Sequence, residues 1–149
     1  MLVTFSLAGP ADLDSLMGFL REFYALEHLA FDETRSRETL EVLLGDPTLG
    51  LAWVIQTEGT AAGYVVLTFA YSLEYQGRAA CLDEIYLRPE RRGQGVGTEV
   101  LRFVEDYCRA QGIGSLHLEV ERPNTAAQRL YRRAGFASPD RVAMKKWVT

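Results

Sequence analysis

Residues 79 to 120 read as strand, loop, helix and strand, and that order constrains the fold more than any other feature. "AACLDEIYL", Ala79 to Leu87, has strand composition, and Val100, Leu101, Val104 and Tyr107 then recur at helical spacing through about Ala110. Gln111-Gly112 ends that helix, and "SLHLEV" is a further strand. Two strands joined by a helical crossover lie parallel, with the helix packed on one face of their sheet.

The segments around this unit add strands of the other sense. Leu2 to Leu7 alternates as a short strand, and Gly9-Pro10 opens a helix with Leu13, Leu16, Met17, Leu20, Phe23 and Leu26 in register. Ser36 to Leu44 reads as a second helix, stopped by Gly45-Asp46-Pro47. Leu51 to Thr57 and Tyr64 to Phe69 are strands joined by the tight turn Glu58-Gly59-Thr60, and Gln76-Gly77 marks the next turn. Strands joined by tight turns pair antiparallel. "NTAAQRLYRRAG" is a short helix with Asn124 as its cap and Gly135 past its end. Phe136 to Val148 has strand character broken at Pro139-Asp140, so a terminal strand or hairpin is expected. The fold class is a mixed α/β sheet, mostly antiparallel, with helices on both faces, in one domain over residues 1–149.

Composition excludes several functions. A net charge of -4 offers no basic footprint for nucleic acid or an anionic membrane. No run approaches the ~20 apolar residues of a membrane-spanning helix, and no signal peptide is visible, so a cytoplasmic protein is expected. Cys81 and Cys108 are too few for a disulfide framework and lack metal-ligand spacing; two reduced, buried thiols and no metal site are expected.

The loop "RRGQGVGTEV", Arg91 to Val100, carries the chemistry. It lacks the Gly-Lys-Ser/Thr of a nucleotide P-loop, and neither Gly93 nor Gly95 has the third glycine of a dinucleotide fingerprint. What remains is Gly-x-Gly-x-Gly between a strand and a helix. Glycines let main-chain N–H groups approach a ligand, the helix start adds unpaired donors, and Arg92 adds a cation. Together they suit a pyrophosphate; a flexible connector with a solvated basic turn is the competing reading.

Arg92-Gly93-Gln94-Gly95-Val96-Gly97 resembles the Arg/Gln-x-x-Gly-x-Gly/Ala signature of the GNAT superfamily of acetyl-CoA-dependent N-acetyltransferases. "NTAAQRLYRRAGF" is similar to the family's second block at Asn124, Ala127, Leu130, Tyr131, Gly135 and Phe136. The resemblance covers Cys81 to Phe136. It implies an enzyme that binds acetyl-CoA, with no metal, and lets an amine attack the thioester in a ternary complex. The backbone around Ile85, Tyr86 and Leu87 would pair with the pantetheine arm. The segment Arg92, Gly93, Gln94, Gly95, Val96, Gly97 and Thr98 would hold the pyrophosphate. Asn124, Ala127 and Tyr131 would reach the cofactor from the second block.

An amine must lose a proton before it attacks, and the departing thiolate needs one. The family often carries an acid nine positions before the signature arginine, which here is Asp83. Glu84 is the alternative base, since strict alternation puts Ala79, Cys81, Asp83 and Ile85 on one face and Leu82, Glu84 and Tyr86 on the other. Tyr131 is the expected general acid. Tyr24, Glu27 and His28, near the end of the first long helix, and Glu119 on the strand after the crossover are candidates for the acceptor site. His117 reads as a strand histidine with an ordinary partner. The resemblance also implies a small-molecule or peptide amine as partner, and pairing as a homodimer. A non-catalytic acyl-CoA-binding or sensor module on the same fold is the alternative function.

Overall fold

The computed structural model describes residues 1–149. Two compact units are present, Met1–Glu119 and Val120–Thr149. The first holds a five-stranded sheet in chain order: β1 (Val3–Leu7), β2 (Gly50–Thr57), β3 (Thr60–Ser72), β4 (Gly77–Leu87) and β5 (Ser115–His117). The first three pairings are antiparallel, and β4 pairs with β5 in parallel across the helix α3 (Val96–Ala110). The mixed sheet and the crossover expected from residues 79 to 120 are therefore both present.

Period-two alternation distributes the core over two faces. Ala52, Val54, Tyr64, Val66 and Tyr86 pack with Leu16, Met17, Phe19 and Leu20 of helix α1 (Leu13–Leu26) and Leu40 of helix α2 (Glu33–Gly45). Their neighbours Phe5 and Trp53 point the other way and meet α3: Phe103 stacks on Phe5 at 4.0 Å, and Trp53 meets Phe103 edge-on at 5.3 Å. Both faces of the central strands are thus covered, as their near-continuous apolar runs require. The second helix starts earlier than Ser36 because the Asp32 carboxylate caps it, accepting from the Arg35 amide at 3.0 Å.

Two strand expectations are corrected. "SLHLEV" is strand only to His117. A bulge in β4 just beyond Cys81 bends that strand, and β5 pairs with Ala79 to Cys81 alone. Residues 136 to 149 form no strand or hairpin. A strand needs a neighbour for its N–H and C=O groups, and here Val142, Met144 and Trp147 are more than 80% exposed. The second unit is built on helix α4 (Thr125–Arg133). No helix is long and apolar enough to cross a membrane. Both cysteines are free; Cys108 is buried, whereas Cys81 is only partly so, which corrects the expectation of two buried thiols.

Candidate active site

The loop after β4 passes through a 3-10 turn, Pro89–Arg91, into Gly93 and Gly95. These two residues have φ of +70° and +82°, and Gly95 is the cap of α3. A Cβ at Gly95 would meet no protein atom within 4 Å, so backbone conformation rather than crowding demands glycine there. Val96 is 1% exposed and anchors the helix start from inside. The Arg92 amide donates to Pro89 and the Glu99 amide to Gly95, but none of the six amides from Gly93 to Thr98 donates to a protein acceptor. Six free N–H groups on a left-handed loop, at the positive end of a 15-residue helix, form a cradle suited to a pyrophosphate. Arg92 donates from its Nε to the Leu87 carbonyl at 2.9 Å, and its guanidinium lies over the Tyr86 ring.

Beyond Cys81 the outer edge of β4 has no partner strand. Which backbone groups face that edge follows from Gly63 on β3. A Cβ there would stand 1.9 Å from the Tyr86 carbonyl oxygen, so this carbonyl points at β3. The Arg88 amide points the same way, donating to Ala62 at 2.9 Å. Ile85 and Leu87, one residue out of phase, therefore turn their backbone groups to the open edge. That edge suits an extended amide-bearing chain such as pantetheine. Tyr86 serves the core instead: it is 3% exposed, stacks with Phe23, and donates to Glu22 at 3.1 Å.

The bulge decides the placement of the acids. Val66 pairs with Glu84, but Leu67 pairs with Leu82, so Asp83 is the extra residue. An inserted residue resets the alternation. Cys81, opposite Thr68, and Glu84, opposite Val66, now share one face, and Asp83 and Glu84 line the same cavity of about 580 Å3. This corrects the expectation that the two carboxylates occupy opposite faces. The cavity lies between β3, β4, α1 and α2, walled by Leu16, Leu20, Leu40, Leu43 and Val66.

The two carboxylates differ in setting. Glu84 accepts from the Tyr64 hydroxyl at 2.7 Å and from the Tyr24 hydroxyl. Burial pushes its carboxyl above the usual range, the two phenol donors pull it back, and the charge of Asp83 raises it again. Burial of its carboxyl also raises Asp83, although the residue as a whole is exposed, so this effect is softened by solvent, and no protein donor holds it. Both phenols are raised, first by burial and then by Glu84, so they stay protonated donors. Two adjacent carboxylates in a largely apolar cavity favour a cation between them, and one of them is free to accept a proton.

In the second unit, Asn124 caps α4 as expected, accepting from the Ala127 amide at 3.1 Å. Tyr131 is 9% exposed, its ring lies edge-on to Phe136 at 5.9 Å, and burial raises its phenol. No protein group bonds its hydroxyl. Of the residues near the end of α1, Tyr24 lines the cavity, whereas Glu27 and His28 are exposed and lie outside it. Glu119 is exposed but close enough for its charge, with that of Asp83, to raise the Cys81 thiol after burial does. His117 meets Ser115 at 2.9 Å and the Tyr75 ring at 4.4 Å. Sequence reasoning missed Tyr64 and the α2 wall. Tyr64 lies in a plain strand run and acquires its role only by standing across from Tyr86, two pairs from Glu84 on the same face. No group of three or more His, Cys, Asp or Glu side chains is placed to hold a metal ion.

A sheet whose last two strands pair over three residues, beside a helix-capping glycine loop, is an architecture suited to a coenzyme-binding transferase. The acetyltransferase (GNAT) family matches residues 19–136, and the chain belongs to that family. Thialysine N-epsilon-acetyltransferase of Mus musculus is 28% identical over 151 residues, covering 95% of this chain and 87% of the relative. The Bos taurus enzyme of the same name is 37% identical over 73 residues, which is 49% of this chain and only 42% of the relative's length. Among solved structures, an integron cassette protein from the mobile metagenome of Cole Harbour Salt Marsh superposes with a TM-score of 0.86 at 30% identity, covering 97% of this chain and 90% of that one.

Proposed function

We propose that this acetyltransferase moves the acetyl group of acetyl-CoA to a primary amine by direct attack in a ternary complex. The observation that carries this reading is the bulge that turns Asp83 and Glu84 into one cavity. Acetyl-CoA supplies the activated acyl carbon. The amides of residues 93 to 98 hold its pyrophosphate, and the backbone of Ile85 and Leu87 pairs with its pantetheine arm.

The acceptor enters as an ammonium, because a primary amine in water has a pKa near ~10.4. The carboxylate pair attracts it. Asp83, which has no protein donor of its own, takes one proton directly or through water, and Glu84 stays fixed by its two tyrosines as the compensating charge. The freed lone pair attacks the acyl carbon, the C–S bond breaks, the thiolate takes a proton from Tyr131, and the second proton shed by the acylated nitrogen passes through water to restore the Tyr131 phenol. The products are an N-acetylated amine and coenzyme A. The substrate in the names of the thialysine acetyltransferases supports a small-molecule amine over a peptide. The family match runs across both compact units, which supports taking residues 1–149 as one acetyltransferase domain.

A thiol-release assay with acetyl-CoA and a panel of amines tests the proposal. Release of coenzyme A that depends on an amine, and is lost in Asp83→Asn/Glu84→Gln, supports it. Coenzyme binding with no release in the presence of any amine would establish a sensor instead.

A further inference from the structure

The cavity has a second polar feature. Arg35, with Ser36, lines it from the first turns of α2. The other arginines of α1 and α2 are neutralised: Arg21 pairs with Glu33, and Arg37 with Asp14 at 2.6 Å. Arg88 on the neighbouring strand segment pairs with Glu22 at 3.2 Å. Arg35 has no carboxylate within ion-pair reach, although its chain is rich in acids. The Thr39 hydroxyl is committed to the Arg35 carbonyl at 2.8 Å, whereas the Ser36 hydroxyl has no protein partner.

The cavity therefore offers a carboxylate pair on β4, an apolar body, and on its α2 wall Arg35, an exposed residue with no ion-pair partner, beside Ser36. Its α2 wall, from Arg35 to Leu43, is about 12 Å long at the rise of an α-helix. Its β3 wall, from Tyr64 to Thr68, is about 13 Å long at the rise of a strand. A two-carbon amine would leave most of that surface wet. We propose that Arg35 is the specificity residue of the acetyl transfer proposed above, binding a carboxylate that the acceptor carries at a distance from its reacting amine. The acceptor is an amino carboxylate with an intervening apolar chain. Its ammonium lies at Asp83 and Glu84, its methylenes lie against Leu20, Leu40 and Val66, and its carboxylate lies at Arg35. Guanidinium binds carboxylate through a planar fork, so this geometry selects a carboxylate over a neutral amide of the same length.

The inference rests on the acetyltransferase reading, and one experiment separates the two. Coenzyme A release is measured for ω-amino acids of four to eight carbons and for the matching ω-amino amides, with the whole chain and with Arg35→Gln, Arg35→Lys and Arg35→Glu. The expected result is a kcat/KM for the best acid about tenfold above its amide, the size of one charge-assisted hydrogen-bonded contact open to solvent. Arg35→Gln brings that ratio near one, Arg35→Lys restores part of it, and Arg35→Glu inverts it. Calorimetry with the same acids, in the presence of coenzyme A, follows the carboxylate without relying on turnover. Acetylation of acids and amides at equal rates, or an acid-to-amide ratio that Arg35→Gln leaves intact, overturns the role of Arg35 and keeps the acetyltransferase. No release from any amine, together with no acid-selective binding, overturns both.

Discussion

Tyr64→Phe removes one oxygen from the centre of the site and leaves the packing alone. Tyr64 is 0% exposed, and its ring sits among Phe19, Phe23 and Tyr86, where a phenylalanine ring fits. What disappears is the 2.7 Å donation to Glu84. A hydrogen bond to a charged group contributes about 1.5 kcal/mol or more to the charged form. That corresponds to about one pH unit in the titration of Glu84. Burial already holds the folded-state pKa of Glu84 above its unfolded value, so the folded protein keeps a proton that the unfolded chain releases, and this contribution to stability grows as pH falls through the folded pKa. Losing the phenol raises that pKa further. The variant should be less stable than the parent by about 1.5 kcal/mol at pH 7, a drop in Tm of about 4 °C. The deficit should narrow once the pH falls below the folded pKa, where the acid is neutral in both proteins. Chemical denaturation at a series of pH values reads this directly. A deficit that stays constant from neutral pH down to the lowest pH at which both proteins remain folded would refute the claim that the phenol stabilises charge. Kinetics add a second reading. If Glu84 were the base, the acid limb of kcat/KM would move up by about one pH unit; with Asp83 as base, the limb should stay near its place.

Asp83→Asn should lower kcat/KM by about a hundredfold or more, the scale of lost general-base catalysis. The same change should raise Tm at neutral pH, because burial disfavours the charge it removes; a lower Tm would count against that placement. Gly95→Val should cost about 1–2 kcal/mol, since a branched residue must take a left-handed φ, and should weaken acetyl-CoA binding measured by calorimetry. Unchanged affinity would remove the loop from the coenzyme site. Tyr131→Phe should lower turnover by about tenfold or more while coenzyme A affinity stays within about twofold, as loss of an acid acting only in the transition state requires. Equal turnover would leave thiolate protonation to water.

The helices and tight turns were legible because their signals are local. Asn124 and Gly135 bracket α4 by their own chemistry, and the left-handed glycines before Val96 are set by the few residues on either side. The terminal strand was misread for the opposite reason. Alternation in residues 136 to 148 describes a segment able to pair, and a strand exists only with a partner. The early start of α2 also has a local cause, the Asp32 cap.

The sequence by itself determined the parallel crossover, the glycine cradle at the start of α3 and the presence of two neighbouring acids after Leu82, since each follows from residues adjacent in the chain. The tertiary structure alone decided that both acids open into one cavity, that two tyrosines hold Glu84, and that Arg35 of α2 lines the same space. The physical reason is register. Side chains alternate along an isolated strand, but the extra residue that breaks the alternation at Asp83 is defined by pairing with β3. The packing of α1 and α2 over that face joins residues up to 68 positions apart in sequence, from Leu16 to Glu84.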